Sequence, residues 1–548
     1  MSFRRGRVLG PMLQWLDQDE AHKTARLFLL AILVLGSGLG LRDPWPPDEP
    51  ALALMMRAMA DGGPWLVPYL GGVPFQEHPP LSVWIGAFVM NATGSLRLGF
   101  LLPSVLAAMA VLWLVYDLGR RLWGARAGRL SALVLLAAFQ FNLQAHTGQV
   151  DMLFTLWVTL ALYALMRYLL LQPEPRWLIY GGLAMGLGML TKGAGYIAAL
   201  VLLPWLWMRW QSWSDLPPRA GKRVLWLLPL AAAVPVLAWA VPALGLALGS
   251  AAELDIAERT QLLLNLLGGA DLHLGGASEG LWHMPLQALL LWLPLPLLLP
   301  WLAPIWRERL AARDPRTGLL LGYALAVLLL FTVLPGRQGV QLLPALPAVA
   351  LLTGANLGGT WWRPEVQWVS RFILIGIGLA LLILVAQARL QPQEFGLRLP
   401  PDTPFGLYWG LGVLGLLALI LALAFRFGSR NQALALPVFI GVGWFLFGWG
   451  VYPWLNNIRT PELIMQRAEA IMPAQGVPGE IGMLDWRPQF ALFSRVPLRP
   501  LDNTAPVQSV TRWCAARTAV PRYVLVPDGM WQDLRARLPV PLGAPAVL

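Results

Sequence analysis

Residues 42–80 read RDPWPPDEPALALMMRAMADGGPWLVPYLGGVPFQEHPP and follow directly on the apolar run Leu27–Leu41, LFLLAILVLGSGLGL. The run has the make-up of a membrane-crossing helix. The segment after it carries adjacent carboxylates at Asp48 and Glu49, a Glu77-His78-Pro79-Pro80 cluster and further helix-breaking prolines. Acids and prolines gathered at the mouth of a first span read as an active-site loop, because ionisable groups beside hydrocarbon are costly and kept for function.

The rest of the chain agrees with the first helix. Of 548 residues, 57% are hydrophobic and only 13% charged, where a soluble protein carries about a quarter charged. Apolar runs recur at lengths that cross a hydrocarbon core of about 30 Å. The expected fold is a polytopic α-helical membrane protein with about 13 spans, near 24–41, 99–116, 129–147, 152–171, 178–191, 194–210, 224–248, 286–305, 317–334, 341–357, 371–388, 407–425 and 433–452.

Alternate loops differ sharply in charge. One set, from Arg4 to Arg430, holds twenty-three Lys and Arg residues, and the other holds eight up to residue 452. By the positive-inside bias the N-terminus is cytoplasmic, and an odd number of spans puts 455–548 on the outer, periplasmic side. The net charge of +12 is then a topology signal, so nucleic acid is not an expected partner while membrane lipids are. Cys514 is the only cysteine, which excludes a disulfide framework within the chain and a Cys-based metal site. The acidic Asp17-Gln-Asp-Glu20 ahead of the first helix is unlike a cleaved signal peptide, and the helix is expected to stay as an anchor.

Two parts are expected: a transmembrane region over 1–454 and an outer α/β domain over 455–548. In the second, apolar runs shorten to strand length at Glu480–Leu484, Phe490–Phe493 and Tyr523–Val526, with a helix at Met530–Leu538. It fits a binding domain or a lid. Within the first outer loop, 42–98, the stretches Ala51–Met59 and Leu81–Val89 read as interfacial helices, a shelf over which a lipid-linked substrate can enter sideways.

Sorting ionisable residues by side gathers Asp48, Glu49, Glu77, His78, Asp151, Lys192, Glu258, His283 and Arg337 at the outer face. Each has an ordinary alternative. Asp48-Glu49 opens a helix-like run, so one acid fits a cap or a dipole-favoured first turn; the other can serve as general base toward an acceptor hydroxyl. Glu77 and His78 either start a helix with Pro79-Pro80 or help hold a divalent cation. Asp151 either caps the next helix or takes part in chemistry. Lys192 stands against the positive-inside trend in a short outer turn: it either snorkels or meets a phosphate. Arg337, in Pro335-Gly-Arg-Gln-Gly339, is a second cation suited to phosphate. His283 is equally a hydrogen-bonded interface residue.

In order and sidedness these motifs resemble the GT-C class of lipid-linked-sugar glycosyltransferases, nearest the bacterial aminoarabinose transferases and the protein O-mannosyltransferase-like enzymes. The carriers are Asp48-Glu49, Trp65-Leu-Val-Pro68, Phe75-Gln-Glu-His-Pro-Pro80, Gln149-Val-Asp151, Leu190-Thr-Lys-Gly193, His283-Met-Pro285 and Pro335-Gly-Arg337 with Leu343-Pro344. The resemblance implies a transferase of the inner membrane, acting at its outer face with a polyprenyl-phosphate-linked sugar as donor and a lipid, glycan or protein acceptor, with inversion. It makes Asp48 the catalytic carboxylate with Asp151 in support. It places Lys192, Arg337, His78 and His283 around the donor phosphate, with Glu49 and Glu258 supporting and Glu77 at a divalent metal. The chain departs from the aminoarabinose pattern at Pro50–Leu54, which replaces an Arg and a Tyr-Ala-Glu run, at His78 in place of Lys, and near Gln341, which lacks an aromatic. Competing readings are a lipid transporter or flippase, which calls for two related halves with charges at the bilayer midplane, a lipid-linked oligosaccharide ligase, and a non-catalytic scaffold.

Overall fold

The computed structural model describes residues 20–75, 79–213, 222–250, 280–334, 338–360, 363–390, 405–424, 432–472, 479–515 and 520–538. Within them every expected span is largely helical. Among the described residues seven helices are long and apolar enough to cross a membrane, and nine if two sharply bent pairs each count as one span. Their exposure identifies their solvent. The most apolar windows of Val224–Leu246 and Pro364–Leu390, with mean hydropathies of 2.2 and 2.5, are each only 22% buried. Surfaces so apolar and so open fit lipid rather than water.

Several expected spans are broken, for identifiable reasons. The first helix, Glu20–Leu35, stops short of Leu41. The 286–305 segment is two helices bent by 95°, separated where Pro294 and Pro296 interrupt the ladder. The 129–147 segment divides into Ala125–Leu136 and Phe139–Ala145, although no proline or glycine marks the joint. There the Asn142 side-chain amide donates to the Leu136 and Ala138 carbonyls at 2.6 and 3.0 Å. The Phe139 amide donates to Leu293 O, 2.9 Å away in the other break. Trp292 Nε1 donates to Gln140 Oε1, and Gln140 Nε2 to Gly339 O, both at 2.8 Å. Backbone groups freed at one joint are thus satisfied by another, the condition for irregular backbone inside a membrane protein.

The C-terminal segment forms a three-stranded parallel sheet, with Glu480–Met483 between Leu498–Pro500 and Arg522–Leu525. Ile481 registers with Leu498 on one side and Tyr523 on the other. The expected strand at Phe490–Phe493 is instead the helix Pro488–Phe493, because Pro488 at its first turn presets a helical φ. That helix packs on Glu49–Ala60 from the loop after the first helix, and Arg57 Nη1 donates to Leu492 O at 2.8 Å. The expected shelf segments are the helices Glu49–Ala60 and Leu81–Thr93.

Candidate active site

The loop that follows the first helix opens on a charged clamp. Glu49, the first residue of its helix, is 3% exposed. Its carboxylate receives Arg42 at 2.8 and 2.7 Å, the Trp45 amide at 2.7 Å and the Gly148 amide at 2.7 Å. The guanidinium of Arg42 lies 4.2 Å from the Trp45 ring. Four donors on one buried carboxylate compensate its desolvation. A second pair, Arg97 to Asp43 at 2.6 and 3.1 Å, ties the loop to the start of helix Leu96–Trp123. Asn456, in the helix Tyr452–Arg459, closes the clamp. Its Oδ1 accepts from the Asp43 amide and from Trp45 Nε1, each at 3.0 Å, and its Nδ2 donates to Leu41 O at 2.8 Å.

Asp48 lies outside the clamp. It is exposed, and its side chain does not cap the helix it precedes. Its Oδ2 accepts from Gln149 Nε2 at 3.1 Å. Arg42, the cation nearest in sequence, goes to Glu49. The adjacent acids are therefore divided: Glu49 is locked into structure and Asp48 is presented to solvent.

Asp151 sits in the first turn of Val150–Met166, whose N-cap is Gln149, so it is not the cap. Its Oδ1 accepts from Lys192 Nζ at 2.7 Å, with the two side chains 9% and 17% exposed. Lys192 is not in a free turn; it is the last residue of Pro175–Lys192. That helix stops because Gly193 takes φ +75°, a left-handed conformation that favours glycine.

The pieces meet on one short segment. Gly148 contacts Glu49, Gln149 contacts Asp48 and Asp151 contacts Lys192, so four consecutive residues join both acids of the first loop to the lysine. Four residues span at most about 14 Å of chain. Gly148 leaves no alternative at its position: a Cβ there runs into the Phe100 ring. His283, half-buried, begins the helix His283–Leu291, which packs against Pro315–Val333 and Gly339–Ala345. Glu77, His78, Glu258 and Arg337 lie outside the described residues. No group of three or more His, Cys, Asp or Glu residues able to hold a metal occurs among the described residues.

Sequence reasoning did not single out Arg42, Asp43, Asn456 or Gln149 as site residues. Gln149 was legible as part of Gln-Val-Asp; Asn456 lies more than four hundred residues from its partners and carries no local signal.

Comparison with known proteins shows the family and the fold. Residues 77–239 match the family described as dolichyl-phosphate-mannose-protein mannosyltransferase. The undecaprenyl phosphate-alpha-4-amino-4-deoxy-L-arabinose arabinosyl transferase of Pseudomonas paraeruginosa is 32% identical over 403 residues, 71% of this chain and 68% of that protein. Its counterpart in Pectobacterium carotovorum is 29% identical, over 67% of this chain and 65% of that protein. Among solved structures, ArnT from Cupriavidus metallidurans bound to undecaprenyl phosphate superposes with a TM-score of 0.68 at 18% identity, covering 97% of this chain and 95% of that one. The last likeness establishes a shared fold.

Proposed function

Because this chain belongs to the family of undecaprenyl phosphate-4-amino-4-deoxy-L-arabinose arabinosyl transferases, a family of membrane glycosyltransferases, we propose that it moves a sugar from a polyprenyl-phosphate donor to an acceptor hydroxyl or phosphate at the outer face of a bacterial inner membrane. The observation that carries this reading is the 148–151 segment, which joins an exposed carboxylate to a mostly buried lysine.

The reaction divides the work between them. Asp48 takes the proton from the acceptor hydroxyl as the acceptor oxygen bonds to the anomeric carbon. The bond from that carbon to the phosphate oxygen breaks, and the lipid phosphate leaves with the electron pair. Lys192 meets the developing phosphate charge. An ammonium has three donors, so it can keep Asp151 while binding oxygen. Asp151 positions the lysine through its 2.7 Å contact. Attack from the face opposite the leaving phosphate inverts the anomeric centre.

Arg337 and His283 are proposed to complete the phosphate site, and Glu77 with a divalent metal to add counter-charge; a metal requirement predicts that EDTA abolishes turnover and a divalent cation restores it. No step above is routed through that ion. The acceptor is proposed to be a lipid, reached over the helices Glu49–Ala60 and Leu81–Thr93. The test is transfer by purified enzyme in nanodiscs, from a panel of undecaprenyl-phosphate sugars to lipid acceptors. Product with one donor, lost in Asp48→Asn, is expected; the same product from Asp48→Asn overturns the role of Asp48.

A further inference from the structure

The helix Leu96–Trp123 begins beside the clamp at Arg97 and ends, about 35 Å away at 1.5 Å per residue, in a second charged cluster that the proposed reaction does not use. Asp117, 2% exposed, accepts from Arg120 at 2.7 Å, from Arg121, and from Tyr163 OH at 2.6 Å. Arg167, itself 9% exposed, donates to Tyr163 OH at 3.3 Å and lies 3.9 Å from the Trp177 ring. Its Nε is buried without a hydrogen-bond partner. The neighbouring acid Glu174 is committed to Arg176 at 2.5 Å. Within this cluster the one carboxylate pairs with Arg120 and Arg121, and Arg167 joins it only through the Tyr163 hydroxyl. The Arg120 and Arg121 side chains are 47% and 36% exposed, so the surplus positive charge is presented at the surface, where an anionic lipid headgroup is attracted.

The same end carries a place for one. Helices Glu20–Leu35 and Leu96–Trp123 enclose an open-sided pocket of about 400 Å³, lined by Thr24, Phe28, Tyr116, Arg120 and neighbouring alanines. Thr24 Oγ1 and Tyr116 OH hydrogen-bond each other at 3.1 Å; with Thr24 as donor, the Tyr116 O–H joins the Arg120 guanidinium as a donor set suited to phosphate oxygens. Below the pocket the same faces become apolar and open. Ile32 lies one turn from Phe28; Trp113 and Leu106 continue the face of Tyr116; the three are 56%, 50% and 56% exposed.

We propose that this pocket binds the phosphate headgroup of an anionic phospholipid, with acyl chains running along Ile32, Trp113 and Leu106. Basic pockets between spanning helices are a known form of headgroup site. The lipid supplies the counter-charge that the Asp117 cluster lacks.

The experiment uses the full chain, delipidated in detergent and titrated with headgroup-labelled phosphatidylglycerol or phosphatidylcholine. Four proteins are compared: wild type, Arg120→Gln, the pocket-lining double variant Thr24→Val/Tyr116→Phe, which leaves the Asp117 ion cluster intact, and Arg313→Gln, an exposed charge outside the pocket. The expected result is preference for phosphatidylglycerol in wild type and Arg313→Gln, with binding about five- to tenfold weaker in the two pocket variants. Equal binding by Arg120→Gln and Arg313→Gln would reduce the effect to general surface charge and overturn the site. Displacement of the lipid by inorganic phosphate as readily as by unlabelled phosphatidylglycerol would assign the pocket to a free anion and overturn the lipid occupant.

Discussion

Replacing Asp48 by Asn keeps an oxygen able to accept from Gln149 while removing the base. The variant is expected to fold and bind donor but to turn over about 10²–10⁴-fold more slowly, read as kcat against KM in the transfer assay. Lys192→Met removes one charged donor to the leaving phosphate and is expected to cost about 10²–10³-fold in kcat. Glu49→Gln behaves differently. It leaves Arg42 without its buried counter-charge, and breaking one side of such a pair costs about 3–5 kcal/mol; loss of the folded protein in a detergent thermal-unfolding assay, ahead of any change in kcat, is the expected outcome. At this scale the sequence is only half legible. The Asp48-Glu49 pair is visible on the page, but which acid is buried depends on Arg42 and on the Gly148 amide, a partner 99 residues away. The first-turn reading places Glu49 correctly but does not foresee its burial, and the capping reading fails for Asp48, whose side chain makes no cap bond.

Among the elements, positions follow from periodicity and apolar length, while breaks follow from contacts that sequence alone does not display. The 95° bend near Trp292 is announced by prolines. The joint at Ala137–Ala138 is not, since what stabilises it is the Asn142 amide and a carbonyl at Leu293. Asn456 shows the same dependence on distance: three hydrogen bonds from the helix Tyr452–Arg459 hold the start of the loop after the first helix. Asn456→Ala is expected to leave buried donors unpaired, cost about 1–3 kcal/mol and loosen the loop, seen as faster hydrogen exchange over 41–49. In the C-terminal sheet, Glu480–Met483 and Arg522–Leu525 were readable as short apolar runs, whereas Leu498–Pro500 was too short and polar to register. Burial pushes the Cys514 thiol above its usual range, which disfavours the reactive thiolate. Alkylation of this sole cysteine is expected to be slow at neutral pH and to accelerate as pH rises; rapid labelling at pH 7 would contradict that environment.

On the scale of the molecule, composition carried most of the reading. A chain with 13% charged residues has to be mostly bundle, and the shared fold with a TM-score of 0.68 to ArnT from Cupriavidus metallidurans fits the GT-C resemblance drawn from motif order. What composition does not contain is convergence. Asp48, Gln149, Asp151 and Lys192 come from three stretches of chain, and their meeting on residues 148–151 depends on how the helices carrying them pack. In the proposed reaction Asp48 acts on a polyprenyl-linked sugar. The measurement that tests this most directly is lipid mass spectrometry of cells carrying the wild-type chain, Asp48→Asn or no copy. One polyprenyl-phosphate sugar is expected to accumulate in both the null and the Asp48→Asn strains while an outer glycoconjugate loses that sugar. Lipid profiles unchanged from wild type in both strains would contradict it.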